Sequence, residues 1–444
     1  MVKVYKPSKF NYLTQNESGE LLLYNSFMGS LGKVSSSYAQ TVLGWSQRTL
    51  DGEEDEKFGK VRDLGFFVPE QEDEDAKLNT LYYQSSNELS LILLPTEQCN
   101  FRCTYCYEDY KRGKMSEQTQ NALIRYVRNH LNSFSALRVD WFGGEPLVAL
   151  DVVENLSEEF VKICGRLKRS YFASMTTNAY LLDLETFRKL LKLHVLDYQI
   201  TIDGTRETHD RQRPLLNGGE TFDVILKNLC AIKENIKTGT FKITIRTNVS
   251  KEIFTHLEDY LSELDEIFGG DPRFSLLIHV VGDYGGETVH NMQESLMNDT
   301  GVRSVFELVA NKQLGIKINT LRRAFLYPAG VVCYANKPNH FTIDSDGKVR
   351  KCSCGLDDNA LNLIGSLTEK GEMEIDAYKH SRWLARGPAF EQCKNCFLLP
   401  SCLGNSCPYR SAKNSTIPPC PLEKTMIDVT LRTLDKNGEF TFLF

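Results

Sequence analysis

From Glu88 to about Lys317 the chain alternates short, β-branched or apolar runs with longer stretches whose apolar residues recur every three or four positions. The first kind reads as strand and the second as amphipathic helix, and their regular alternation predicts βα units around a parallel sheet. Strands are expected at 89–94, 138–142, 172–176, 198–202, 242–247 and 274–280. Ser116, Asp183 and Thr221 are placed to cap the intervening helices, and Leu184, Phe187, Leu190 and Leu191 form one apolar stripe. Six units fall short of a closed eightfold barrel, so the expected fold is α/β, a partial (βα)6 barrel with its chemistry at the C-terminal ends of the strands.

The flanks follow other patterns. Before the barrel, 10–14 and 20–25 frame the turn cluster 16–19 as a hairpin would, and helical stretches follow at 37–47 and 55–64. In the second, Phe58, Val61 and Leu64 share a face and Gly65 is placed as its cap, before a short strand at 66–69. This order is winged-helix-like. The acidic run 70–75 reads as a solvated linker. Beyond Leu326 the chain turns to loops rich in Gly, Pro and Asn, and 393–420 lacks periodicity, so metal cross-linking is the natural substitute for side-chain burial there. The expected domains are 1–78, 79–325 and 326–444.

Charge and composition narrow the functions. A net charge of −6 over 444 residues gives no general attraction to nucleic acid or anionic lipid. Residues 1–75 carry eight basic against thirteen acidic side chains, which argues against a DNA-reading wing. No apolar run approaches the ~20 residues of a bilayer span, so the expectation is a cytoplasmic protein with neither nucleic acid nor membrane as partner.

Thirteen cysteines are too clustered to be ordinary core thiols; only Cys164 and Cys230 stand apart, on helical apolar stripes that read as core. Cys99, Cys103 and Cys106 follow the first barrel strand directly, where a catalytic loop belongs. Three thiolates suit an iron–sulfur cluster, whereas structural zinc normally takes four protein ligands. On a four-iron cluster, three ligands leave one iron open.

The spacing C-x3-C-x2-C with Tyr105 before the last cysteine resembles the radical S-adenosylmethionine (SAM) enzymes, and further elements recur in register through the barrel. Gly143-Gly144-Glu145-Pro146 follows the second strand, Thr176-Thr-Asn178 ends the third, and Thr201-Ile-Asp203-Gly ends the fourth, with His209-Asp210-x-x-Arg213 after it. The resemblance implies that Cys99, Cys103 and Cys106 hold a 4Fe-4S cluster. SAM would then be held by Tyr105, Gly143, Gly144, Glu145, Pro146, Asn178, Asp203 and Arg213, the last at the SAM carboxylate, where its fork fits. Tyr107, Glu108 and Asp109 read as solvated loop.

The later cysteines run Cys333, Gly347, Cys352, then Cys393-x2-Cys396-x5-Cys402-x4-Cys407 and Cys420. This resembles the SPASM extension of peptide-modifying radical SAM enzymes, with x4 here where x3 is usual; the bland alternative is a zinc ribbon. The resemblance implies two auxiliary 4Fe-4S clusters, one on Cys333, Cys352 and Cys407 and one on Cys393, Cys396, Cys402 and Cys420, for three clusters in all. Either Cys354 or an open iron completes the former.

With the N-terminal unit as a leader-recognition domain, the chain is similar to the thioether-forming maturases of the sactipeptide and ranthipeptide class. That implies a precursor peptide with a leader as substrate and an electron donor of flavodoxin or ferredoxin type. The alternative outcomes within the same class are a carbon–carbon cross-link, a decarboxylation or a formylglycine side chain.

Overall fold

The computed structural model describes the whole chain except residues 1–3, 52–55, 83–86, 109, 238, 283–292, 355, 357–360, 385–389, 405 and 414–419. Six strands, β1 (Val4–Pro7), β2 (Asn11–Gln15), β3 (Leu21–Asn25), β4 (Ser30–Val34), β5 (Leu50–Asp51) and β6 (Phe67–Pro69), form the N-terminal part with helices α1 (Ser36–Trp45), α2 (Glu56–Asp63) and α3 (Glu74–Tyr82). Gly65 ends the second helical segment with φ +85°, and a side chain there would meet Met28. Residues 70, 71, 73 and 75 of the acidic run are exposed, as expected, and the run leads into α3: Asp73 accepts from the N–H groups of Asp75 (3.0 Å) and Ala76 (3.0 Å), and Glu74 accepts from the Ser8 hydroxyl at 2.5 Å.

The barrel strands are β7 (Glu88–Leu93), β8 (Ala136–Trp141), β9 (Ser170–Thr177), β10 (Val195–Thr201), β11 (Lys242–Val249) and β12 (Phe274–Val280), all parallel and adjacent in chain order. β13 (Lys317–Ile318) extends one edge. On the other edge β14 (His340–Ile343) pairs parallel with β7, followed antiparallel by β15 (Lys348–Arg350), β16 (Leu363–Leu367) and β17 (Met373–Ile375). The sheet therefore runs on into the region that reads as loops, because strands of three to five residues are too short to show alternation.

The connecting helices α4 (Glu117–His130), α5 (Leu150–Leu167), α6 (Leu184–Lys192), α7 (Arg206–Gln212) and α8 (Phe222–Asn235) cover the sheet. Phe160 of α5 and Phe187 and Leu190 of α6 are fully buried in one core with Leu91, Val139, Ile200 and Ile245. Ser116 and Asp183 cap their helices through Thr119 N–H (3.2 Å) and Thr186 N–H (2.8 Å). Thr221 does not; Asp210 accepts from the N–H groups of Thr221 (2.7 Å) and Phe222 (2.8 Å) and caps α8 in its place. Cys164 is buried as expected, while Cys230 is only half-buried.

The N-terminal part is not a separate bead. Leu22, Tyr24 and Leu31 share a core with Leu326, Leu398, Ile427, Leu431 and Leu434, and the Tyr24 hydroxyl donates to Leu326 O at 2.7 Å. β18 (Thr441–Phe442) pairs parallel with β4, so residues from both ends of the sequence complete one sheet. No described helix is long and apolar enough to cross a membrane.

Candidate functional site

At the C-terminal ends of the barrel strands lies a cavity with about 1020 Å³ of empty space, partly continuous with solvent, lined among others by Cys99, Cys103, Cys106, Glu145, Asn178 and Arg213. The three cysteines occupy the loop after β7. Burial pushes the Cys99 and Cys106 thiols up to about 12 and raises Cys103 as well, so these sulfurs are neutral thiols until a cation compensates them.

Glycine backbone holds this loop in place. A Cβ on Gly144 would lie 2.4 Å from Glu97 O and 2.5 Å from Gln98 O, and one on Gly143 would lie 2.4 Å from Thr96 O. Only glycines let the 143–145 turn press on the segment leading to Cys99, and Glu145 N–H then donates to Gln98 O at 3.0 Å. The Glu145 carboxylate is buried and accepts from Leu147 N–H (3.0 Å), Thr177 Oγ1 (2.7 Å) and Asn178 N–H (2.7 Å). Desolvation raises its pKa, with these donors pulling the other way. It faces the cavity as a braced acceptor suited to an ammonium.

On the opposite wall, Asp203 is fully buried between the Tyr105 hydroxyl and Asn248 N–H (2.7 Å). His209 Nδ1 accepts the Asp203 N–H at 3.1 Å, and Arg213 reaches the cavity with its Nε unpartnered among the described residues. The motif thus divides its work: His209 fixes the strand end, Asp210 caps α8, and Arg213 lines the cavity while its Nη1 is held by Tyr105 and Asp203. Tyr105, Gly143, Gly144, Glu145, Asn178 and Arg213 line the cavity, while Pro146 begins a short 3₁₀ turn and Asp203 sits behind the wall.

The loop after Cys106 differs from the solvated reading. Tyr107 and Glu108 line the cavity, and the Tyr107 hydroxyl lies near enough to Cys354 to pull that thiol's pKa down. Asp109 lies outside the described residues. Gln199, Arg246 and Asn248, not singled out in the sequence, also line the cavity, as does Thr201 of the fourth strand's motif. Their signal was available: on β10 and β11 they stand two apart, alternating with buried Ile200, Ile245 and Thr247, as polar residues facing a site do.

The remaining cysteines form two groups. Cys333, Cys352 and Cys407 lie within electrostatic reach of one another, and Cys354 hydrogen-bonds Cys352, all packed on the barrel core. That hydrogen bond, reinforced by Cys354 N–H at 3.3 Å, pulls the Cys352 thiol down to about 7. Cys393, Cys396, Cys402 and Cys420 form the second group, with Lys424 Nζ donating to Cys420 Sγ at 3.6 Å. Cys393 and Cys396 belong to a different core, with Phe10 and Leu78 from the N-terminal part. Among the described residues no three His, Cys, Asp or Glu side chains converge on a single-ion position. An iron–sulfur cluster asks for something else, thiolates spread over separate irons, and all-sulfur donor sets of three and four fit that demand.

The sequence matches the model of the radical SAM superfamily over residues 93–261. The chain is 25% identical over 300 residues to an uncharacterised protein of Methanocaldococcus jannaschii, covering 67% of this chain and 94% of that one. It is 23% identical over 347 residues to a cysteine-type anaerobic sulfatase-maturating enzyme of Clostridium perfringens, covering 74% and 91%. Among solved structures, anSMEcpe with bound AdoMet and the Cp18Cys peptide superposes with a TM-score of 0.60 at 19% identity, covering 79% of this chain and 97% of that one. Streptococcus suis SuiB bound to S-adenosylmethionine gives 0.52 at 15%, covering 93% and 97%. The matched residues carry the cysteine loop and much of the cavity lining, Cys99, Cys103, Cys106, Glu145, Asn178 and Arg213 among them.

Proposed function

We propose that this chain is a peptide maturase that installs thioether cross-links, from a cysteine sulfur to a substrate carbon, in a ribosomally synthesised precursor peptide. The observation that carries the reading is Tyr107, which lines the cavity while its hydroxyl lies near enough to Cys354 of the second thiol group to pull that thiol's pKa down. A second redox or sulfur-binding centre thus stands one side chain away from the place where hydrogen is removed. A relative named as a sulfatase-maturating enzyme and the fold shared with a peptide-bound anSMEcpe support a peptide substrate.

When bound, the barrel cluster and SAM supply a radical able to take hydrogen from a substrate carbon. The protein's own part is orientation. Glu145 and Arg213 both line the cavity and would take the two ends of an amino-acid zwitterion, while Gln199, Arg246 and Asn248 would give the substrate a polar wall. Cys333, Cys352, Cys354 and Cys407 would hold one auxiliary cluster and Cys393, Cys396, Cys402 and Cys420 another, supplied by an electron donor of flavodoxin or ferredoxin type. The N-terminal part would bind the precursor's leader by strand addition.

The test is the product. Each link removes two hydrogens from the peptide, as a carbon–carbon link or a disulfide also does, so the product is reduced and then treated with a thiol-alkylating reagent. A thioether leaves the linked cysteine unalkylated, because its carbon–sulfur bond does not exchange with thiols. Recovery of every cysteine alkylated, with the two-hydrogen loss retained, rejects the thioether in favour of a carbon–carbon link.

A further inference from the structure

The edge of β4 is a strand-addition site that the chain fills with its own residues 440–444. Thr441 pairs with Gly32 and Phe442 with Lys33, Leu443 N–H donates to Lys33 O at 2.8 Å, and Ser35 N–H donates to Phe444 O at 2.8 Å. Gly32 makes room for the occupant: the Leu443 side chain lies 3.2 Å from where a Cβ on Gly32 would be. Leu443 enters the core of Phe58, Val61 and Phe66, and the Phe444 ring stands edge-on to Tyr38 at 5.4 Å and to Trp45 at 6.5 Å.

The occupant underuses the site. β4 spans five residues, yet β18 pairs with two of them, and Phe442 is 57% exposed. An extended peptide with an apolar residue for the Leu443 position and an aromatic for that of Phe444 could match the same contacts and pair further along Ser30 and Leu31. A longer antiparallel or parallel ladder adds main-chain hydrogen bonds that a two-residue strand lacks.

We propose that the β4 edge is the docking site for an extended segment of the substrate peptide, and that residues 440–444 are its built-in competitor, displaced when the substrate binds. The proposal rests on the peptide-maturase reading for the identity of the partner. The exchange itself is tested without turnover.

The probe is a fluorescein-labelled synthetic peptide of residues 436–444, added to the full, cluster-reconstituted chain and followed by fluorescence anisotropy. Leu443→Asp in the protein puts a carboxylate against an apolar core and unseats the tail; Phe444→Ala loosens it more gently and serves if the first variant loses iron or folded structure. The expected result is at least tenfold tighter peptide binding to the variant than to the unaltered chain, lost when the peptide itself carries Leu443→Asp. Equal affinity for both proteins, or binding indifferent to that change in the peptide, overturns the proposal. Since neither SAM nor product enters the readout, such a failure would leave the cross-linking reaction untouched, and a failed product assay would leave the groove untouched.

Discussion

Arg213 Nη1 donates to the Tyr105 hydroxyl at 2.5 Å, and that hydroxyl donates in turn to the buried Asp203 carboxylate. The cysteine loop is thereby tied to the end of β10 and to the one guanidinium of the family motif. Asn248 Nδ2 approaches the same hydroxyl at 3.2 Å, so Tyr105 gathers Asp203, Arg213 and Asn248 at one oxygen. Tyr105→Phe keeps the ring but leaves Arg213 and Asp203, 3.7 Å apart, without their bridge. Losing a hydrogen bond to charged partners costs about 1–3 kcal/mol, so SAM affinity should fall roughly tenfold or more with iron content unchanged. Equilibrium binding of SAM to the reconstituted variant checks this; wild-type affinity would mean that the bridge does not position Arg213.

The donor sets predict iron stoichiometry. Three four-iron clusters give about twelve irons per chain after anaerobic reconstitution. Changing Cys99, Cys103 and Cys106 together to Ala should remove about a third of that iron and all reductive SAM cleavage, measured as 5′-deoxyadenosine. Continued 5′-deoxyadenosine formation by this variant would refute the assignment of the barrel site.

The barrel and its cysteine loop were legible because their signals are local and strong: the strand expected at 274–280 is β12 to the residue, and the cysteine spacing marks the loop. What could not be read came from tertiary pairing. β14 joins β7 through residues some 250 positions away in sequence, as the His340–Ser90 contact illustrates, and four-residue strands carry no usable period. Asp210 capping a helix that starts at Phe222 is likewise invisible to a rule that looks for the cap next to the helix. The polar positions Gln199 and Asn248 alternate with buried Ile200 and Thr247, a period-2 signal that the sequence carries but that two or three residues of strand make weak. The split of the later cysteines into two groups rests on packing, one group on the barrel core and the other on Phe10 and Leu78.

Tyr107 offers a spectroscopic test of the link between the two centres. Its hydroxyl lies near enough to Cys354 to pull that thiol's pKa down, and a group placed to hydrogen-bond a ligating sulfur tunes the cluster potential. Tyr107→Phe should shift the electron paramagnetic resonance signal or midpoint potential of one reduced cluster out of three while iron content and SAM cleavage persist. Cys354→Ala should alter that same signal more strongly. If both variants leave every cluster signal unchanged, Cys354 does not ligate and Tyr107 is a wall residue only.

Stability at acid pH should depend on His340. Its ring is buried, Nδ1 lies 3.0 Å from Ser90 Oγ, the Tyr334 ring packs against it tilted at 4.5 Å, and Lys351 and Lys337 are the charged groups that face it. Burial first, and those lysines second, pull its pKa from 6.5 down to about 3. The folded chain therefore refuses a proton that the unfolded chain accepts between these two values. The contribution to stability is complete above about pH 6.5 and is lost progressively as pH falls toward 3. His209, His279 and His380 are shifted in the same direction, so the acid slope of the wild type sums several such groups. His340→Gln keeps a partner for Ser90 and removes one titration, which should flatten the slope by one proton, about 1.4 kcal/mol per pH unit. Urea-unfolding midpoints of the two chains between pH 6.5 and 4.5 make the comparison, and parallel curves would show that His340 is protonated in the folded protein after all.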